Sequence, residues 1–364
     1  MDIFDGRVRK RIEQYESTLS IYAQKSVNSR GRQTYEEPDP FRTTYQQDRD
    51  RIIHSKAFRR LKNKTQVFIA PLGDHYFTRM SHTLQVMQVA RSISSALNLN
   101  EDLTEAMCLG HDLGHTPFGH LGEHVIAELT GSFRHNRQSV RIVETLENKG
   151  KGLNLSWEVR QGILRHSKGR DDIVGKASPD IDTLEAQVCK ISDALAYINH
   201  DVGDAVRAGI ITEKSLPPRS LEVLGDTSSK RIETLIRDIV QTSWAATGET
   251  KSADGGVPKI IMSEPVEKAA NELREYLFQN VYLPSGETTQ AKRAEEILKM
   301  LFQYYMDYPQ SIPEEFNIRG EPKQQTVVDY LSGMTDRYAL RMAEKIAPGI
   351  SKGMEQDPQW ITGE

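Results

Sequence analysis

The sequence predicts an all-α fold, and three observations carry that expectation. Apolar residues recur in steps of three and four, most clearly at Leu184, Val188, Ile191, Leu195, Ile198 and Val202. No two-residue turn of the hairpin type lies between alternating apolar and polar runs. Strand-like β-branched runs are scarce. The 364 residues suffice for one large core or two adjoining ones, and 37% hydrophobic with 27% charged residues describes a globular chain rather than a disordered one.

In chain order, residues 1–40 read as a polar N-terminal arm ending in Pro38-Asp39-Pro40. Its opening, MDIFDGRVRKRIEQYE, lacks the apolar stretch of a secretory signal, and no run of roughly 18 apolar residues occurs. The expectation is a cytoplasmic protein with no membrane span. Residues 41–211 are expected to form the catalytic core. From about residue 82 a helix is predicted by Leu84, Met87, Ala90 (or Arg91), Ile93 and Leu97, with Asn98 to Asn100 supplying a stop and a new cap. A second helix is expected from Glu101 or Asp102 to about Leu113. The Leu184–Val202 stripe marks a third, with Asp193, Tyr197 and His200 on its other side. Residues 212–364 are read as a C-terminal helical region that completes the pocket and supplies an oligomer interface. Pro217-Pro218 breaks the chain, Gly248 to Pro258 is a loop, and residues 264–280 and 290–306 have helical spacing. Cys108 and Cys189 each fall inside an apolar helical pattern and read as small buried hydrophobes, not as a disulfide or a thiolate site.

The net charge of −4 argues against a protein that coats nucleic acid over its whole surface, though not against a local basic pocket. Chemistry concentrates in LGHDLGHTPFGH, where His111 and Asp112 are adjacent and His115 and His120 follow. Set among glycines and a proline, these residues make poor helix interior and poor core. An imidazole nitrogen and a carboxylate oxygen from His111-Asp112 suit a divalent ion of the Zn²⁺, Mn²⁺, Fe²⁺, Co²⁺ or Ni²⁺ kind. Two ligands are too few, and His82 and Asp193, each on its own predicted helix, are the candidates to complete the set. Taken singly, a histidine or aspartate on a helix is more often a cap or a solvated residue than a ligand.

The order His82, His111-Asp112, Asp193 resembles the H…HD…D signature of the HD phosphohydrolase superfamily. The strings DRDRIIHSKAFRRLKNKTQVF, HDLGHTPFGHLGEH, FRHNRQSVRIVETLE, AYINHDVGDAVRAGI and DYLSGMTDRYAL narrow the resemblance to the bacterial dGTPase-like proteins. It runs from about residue 41 to 211 and returns near residue 329. The resemblance implies one divalent ion per site, Mn, Mg, Fe, Zn, Co or Ni, held by His82, His111, Asp112 and Asp193. It implies catalytic roles for His115, His120 and His135, and an α-phosphate contact for Arg79. It further implies that Gln66 reads the 3′-hydroxyl of a deoxyribose, that Val67 crowds the 2′ position, and that Tyr197 and Asp201 line the sugar pocket. Two departures stand out. His124 sits where relatives usually carry a glutamate, and Ala194 follows the last ligand where animal relatives carry a phosphate-binding lysine. His54, His75, His166 and His200 are read as structural.

The implied reaction is hydrolysis of a dNTP to a deoxynucleoside and tripolyphosphate, and the implied assembly is a homo-oligomer, hexamers among the relatives. Two rivals remain. Another HD enzyme could act on nucleoside monophosphates, cyclic nucleotides or guanosine tetraphosphate, and would release no tripolyphosphate. A nucleotide-sensing or single-strand nucleic-acid-binding protein is suggested by Arg49, Arg51, Lys56, Arg59, Arg60, Lys62 and Lys64, interleaved with Phe58 and Phe68. A solvated helix face with substrate contacts explains the same stretch.

Overall fold

A computed structural model of the chain describes residues 6–67, 69, 76–167, 183–252 and 255–354. Among these residues the fold is all-α, and the extended pairings are two isolated bridges, Arg32 with Ser156 and Thr65 with Thr78. Two compact units interleave along the chain. The first comprises residues 1–54, 83–111 and 154–278, and the second comprises 55–82, 112–153 and 279–364. The chain passes from one to the other at five points, the His82–Thr83 and His111–Asp112 peptide bonds among them.

The first unit is built around the Glu101–Gly110 helix, in which every residue from Leu103 to Gly110 is buried. Asn100 caps it by accepting a hydrogen bond from Leu103 N at 3.1 Å. The helices Thr44–His54, Trp157–Arg165 and Leu184–Arg207 pack on it. Close approach depends on Gly162, where an added Cβ would lie 2.4 Å from Met107 Sδ. In the Leu184–Arg207 helix, capped by the Thr183 side chain, all six residues of the expected stripe are buried. Cys108 and Cys189 are buried free thiols, as the apolar pattern around each suggested.

The Arg79–Ala96 helix starts three residues before the expected point, and its buried face matches the expected one at Ala90, Ile93 and Leu97 but not in the first turns. Leu84 is 45% exposed, whereas Val86, Val89, Ala90, Ile93 and Leu97 are buried. The sequence carries two overlapping three-and-four registers here, and packing against the unit chooses the second. Within the first forty residues, polar side chains make buried contacts. Glu16 accepts from Ser26 N at 2.7 Å, and Glu158 accepts from Arg30 N at 2.7 Å.

In the second unit the helices Gly119–Thr130, Thr289–Asp307, Lys323–Ser332 and Asp336–Ile346 share one core. Phe118, Ile126, Ile297, Leu301, Leu331 and Leu340 belong to it. The C-terminal helical spacing read from sequence matches Glu264–Leu277 and Thr289–Asp307. No helix among the described residues is long and apolar enough to cross a membrane.

Candidate functional site

In the second unit the site is organised by Arg79. It opens its helix with N–H donating to Lys64 O at 3.0 Å, and the residue is 2% exposed. Nε donates to Thr65 O at 3.2 Å, Nη2 to Gln66 O at 3.2 Å, and Nη1 to Asp112 Oδ2 at 3.1 Å. Nη1 also lies 3.0 Å from His115 Nε2. The same ring nitrogen lies 3.3 Å from Asp112 Oδ1, so it faces a donor and an acceptor at once. Burial, then the Arg79 and His135 charges, push the His115 imidazole well below its ordinary value, which keeps it neutral. Among the described residues His115 Nδ1 is buried without a hydrogen-bond partner.

The three histidines of the expected catalytic set come together. The His115 and His135 rings stack at 4.1 Å between centroids, and His120 meets His115 edge-on at 5.2 Å. The sequence reading missed the residue that orders them. Glu123 accepts from His135 N at 3.0 Å and contacts His135 Nδ1 at 3.0 Å and His120 Nδ1 at 3.3 Å. Burial opposes its ionisation, but the hydrogen bonds to His120 and His135 outweigh it and hold the carboxyl well below the usual carboxylate range. The signal for Glu123 was its three-residue spacing from His120, which places both on one helix face.

Asp336 was also missed. Its Oδ1 accepts from Phe118 N at 2.9 Å and its Oδ2 from Thr65 N at 3.0 Å, while Thr65 Oγ1 donates to the same oxygen. Lys64 is fully buried and donates to the carbonyls of His115 and of Ser332, the latter at 2.8 Å. These bonds pin the turn around Phe118, whose φ of 61° is left-handed, and the segment that carries Gln66. Gln66 is 2% exposed, and neither its amide nitrogen nor its amide oxygen has a partner among the described residues. An unmet buried amide is costly unless a ligand satisfies it. Val67 is half-buried beside it.

Metal-ligand geometry can be tested inside each unit. Two ligands about 2.0–2.2 Å from one ion stand roughly 3.0 Å apart at right angles and a little over 4 Å apart in line. In the second unit His82 Nε2 and Asp112 Oδ2 are 3.8 Å apart. In the first unit His111 Nε2 and Asp193 Oδ1 are 3.7 Å apart. Both separations fall in that window. His111 Nδ1 donates to Cys108 O at 2.6 Å, which leaves Nε2 as the lone-pair nitrogen. The donor set therefore fits a divalent ion. Within the second unit, ligand-type atoms of Asp112, His115 and His135 also lie within 4.8 Å of one another.

Elsewhere in the first unit, His166 meets the His111 ring edge-on at 4.9 Å, with its own Nδ1 donating to Ile163 O at 2.7 Å. Tyr197 is half-buried on the Leu184–Arg207 helix, and Asp201 is fully buried with Oδ1 2.7 Å from His200 Nδ1. His54 and His124 are exposed. His75 lies outside the described residues. Much of the basic stretch is paired within the fold: Arg49 with Asp102, Arg51 with Glu36 and Lys56 with Glu315.

The chain matches the HD domain over residues 79–198 and the phosphohydrolase-associated domain over residues 260–345. A deoxyguanosinetriphosphate triphosphohydrolase-like protein of Caldanaerobacter subterraneus is 50% identical over 344 residues, spanning 93% of this chain and 96% of that one. Proteins of the same description from Desulfatibacillum aliphaticivorans and Clostridium perfringens are 45% and 46% identical, each over 93% of this chain and 97% of the relative. With an HD domain, an associated helical domain and near full-length identity at this level, the chain belongs to the deoxyguanosinetriphosphate triphosphohydrolase-like family of HD-domain hydrolases.

Proposed function

We propose that the protein hydrolyses deoxynucleoside triphosphates, dGTP among them, to a deoxynucleoside and tripolyphosphate, with one divalent ion held by His82, His111, Asp112 and Asp193. The observation that carries this reading is the pair of imidazole–carboxylate contacts at ligand spacing, 3.7 Å and 3.8 Å, in which the consecutive residues His111 and Asp112 each take part. The description shared by the relatives supports the substrate class. An ion so bound neutralises charge on phosphoryl oxygens and lowers the pKa of water.

The chain's own groups then have separable tasks. Arg79 donates to Thr65 O, Asp112 Oδ2 and Gln66 O, and Nη2 keeps one N–H for a phosphate oxygen. His115 Nδ1, buried without a partner among the described residues, is a second contact for the substrate. His120 is 56% exposed on its side chain and His135 is 10% exposed, so proton delivery to the departing 5′-oxygen falls to this pair, with Glu123 fixing their orientation. The unmet amide of Gln66 suits a sugar hydroxyl, which both donates and accepts. Val67, Tyr197 and Asp201 complete the sugar pocket in this reading, and the enzyme acts on the cytoplasmic nucleotide pool as a homo-oligomer.

A panel of dNTPs and NTPs with Mn²⁺ or Mg²⁺, with the phosphate product resolved by chromatography, tests the proposal. Tripolyphosphate from dNTPs, absent when a chelator is added, is the expected result. Orthophosphate or pyrophosphate as the first product would refute it.

A further inference from the structure

Along the Leu184–Arg207 helix, burial is nearly complete on all sides up to Val202. The half-buried positions in that span are Gln187, Lys190, Asp193, Ala194 and Tyr197. At 100° per residue they fall within about 120° of arc. Taking Asp193 as zero, Tyr197 lies at about 40°, Lys190 at about 60° and Asp201 at about 80°. Lys190 is thus on the face that presents Asp193 and Tyr197, one turn toward the N-terminus from Asp193.

The Lys190 ammonium has no hydrogen bond and no carboxylate partner among the described residues. Its neighbour in the arc, Gln187, is occupied by Ile260 N at 3.0 Å. Burial alone lowers the Lys190 pKa, with no neighbouring anion to raise it. A half-buried cation without a counter-ion costs stability in the free protein, and an anionic ligand offsets that cost. Ala194, directly after Asp193, offers no charge.

We propose that Lys190 binds the β- or γ-phosphate of the substrate and retains the tripolyphosphate product. This rests on the proposed function. The axial order supports it: Asp201 and Tyr197 at one end for the sugar, Asp193 at the level of the α-phosphate, and Lys190 roughly 4.5 Å further along, where the rest of the triphosphate extends. The lysine four-carbon stem gives the ammonium the reach to follow a flexible phosphate chain.

The test measures tripolyphosphate affinity by calorimetry for wild type, Lys190→Met and Lys190→Arg, with melting temperature followed in parallel. Lys190→Met keeps the stem and removes an unpaired charge, so its melting temperature should hold or rise. Its affinity for tripolyphosphate should fall about ten- to hundredfold, the range of a charge-assisted hydrogen bond. Lys190→Arg should recover most of the loss, and KM for dGTP should rise more than kcat falls. Unchanged tripolyphosphate affinity in a folded Lys190→Met protein overturns the assignment. So does a drop in melting temperature with affinity retained, which would make Lys190 a packing residue. Wild-type protein that neither binds tripolyphosphate nor releases it from dGTP overturns the proposed function itself, and this inference with it.

Discussion

Adding one methyl group at Gly114 should disable the site without changing the identity of any functional side chain. Gly114 N–H donates to Ser139 Oγ at 2.8 Å, so the HDLGHT loop lies directly against the His135–Arg141 helix. A Cβ on residue 114 would stand 2.2 Å from Ser139 N, 2.4 Å from His135 O and 2.6 Å from the Gln138 carbonyl carbon. All three are backbone atoms, and ordinary contact needs about 3.4 Å, so loop and helix must part by roughly 1 Å. Overpacking of this kind costs about 1–3 kcal/mol. The parting also pulls His135 from its 4.1 Å stack on His115, and a misplacement of about 1 Å is worth roughly a hundredfold in rate. Gly114→Ala should therefore melt several degrees lower and turn over dGTP about a hundredfold more slowly. Thermal unfolding in chelator and steady-state kinetics in Mn²⁺ read the two effects separately. A variant within twofold of wild-type kcat, with an unchanged melting temperature, would show that the close approach at Gly114 does not hold the site together.

Three further substitutions probe separate parts of the account. Arg79→Lys keeps the charge but loses the fork that reaches Thr65, Gln66, Asp112 and His115 together. Its kcat/KM for dGTP should fall by about two orders of magnitude, and near-normal kinetics would contradict the role given to the fork. Glu123→Gln leaves the shape and removes the anion shared by His120 and His135. Its kcat should drop about tenfold or more with KM little changed, and a pure KM effect would argue against an orienting role. Glu185 is fully buried, and burial pushes its carboxyl up to about 7 despite hydrogen bonds from the backbone of Asn100 and Gln24. Because the folded value is raised, the native state keeps a proton that the unfolded chain has lost. Stability is full below about 4.5, falls by about 3 kcal/mol as pH rises to about 7, and is level above that. Glu185→Gln should remove this slope and melt higher than wild type at pH 8, and parallel melting curves from pH 5 to 8 would show the inference to be mistaken.

The helices and the metal-type residues were legible in sequence because both depend on local spacing. The stripe from Leu184 to Val202 fixed the face of its helix, and the His111-Asp112 pair announced itself by crowding polar groups among glycines. In the Arg79–Ala96 helix Ala90, Ile93 and Leu97 were legible as buried, but the first turns were not, since Leu84-Met87 and Val86-Val89 satisfy the same periodicity and only tertiary packing separates them. Asp336 was invisible as a support for the site. Its partners Thr65 and Phe118 lie more than 200 residues away in sequence, and an aspartate after a threonine looks like an ordinary helix start. The unmet amide of Gln66 is likewise a property of its surroundings and not of its own residue type.

In the proposed reaction water attacks the α-phosphorus at a site whose integrity depends on His82, His111, Asp112 and Asp193. Turnover of dGTP in ¹⁸O-labelled water, with both products weighed by mass spectrometry, addresses it directly. One label in the tripolyphosphate, none in deoxyguanosine, and no labelled product from Asp112→Ala are expected. Label in orthophosphate, or at the 5′-oxygen of deoxyguanosine, would contradict it.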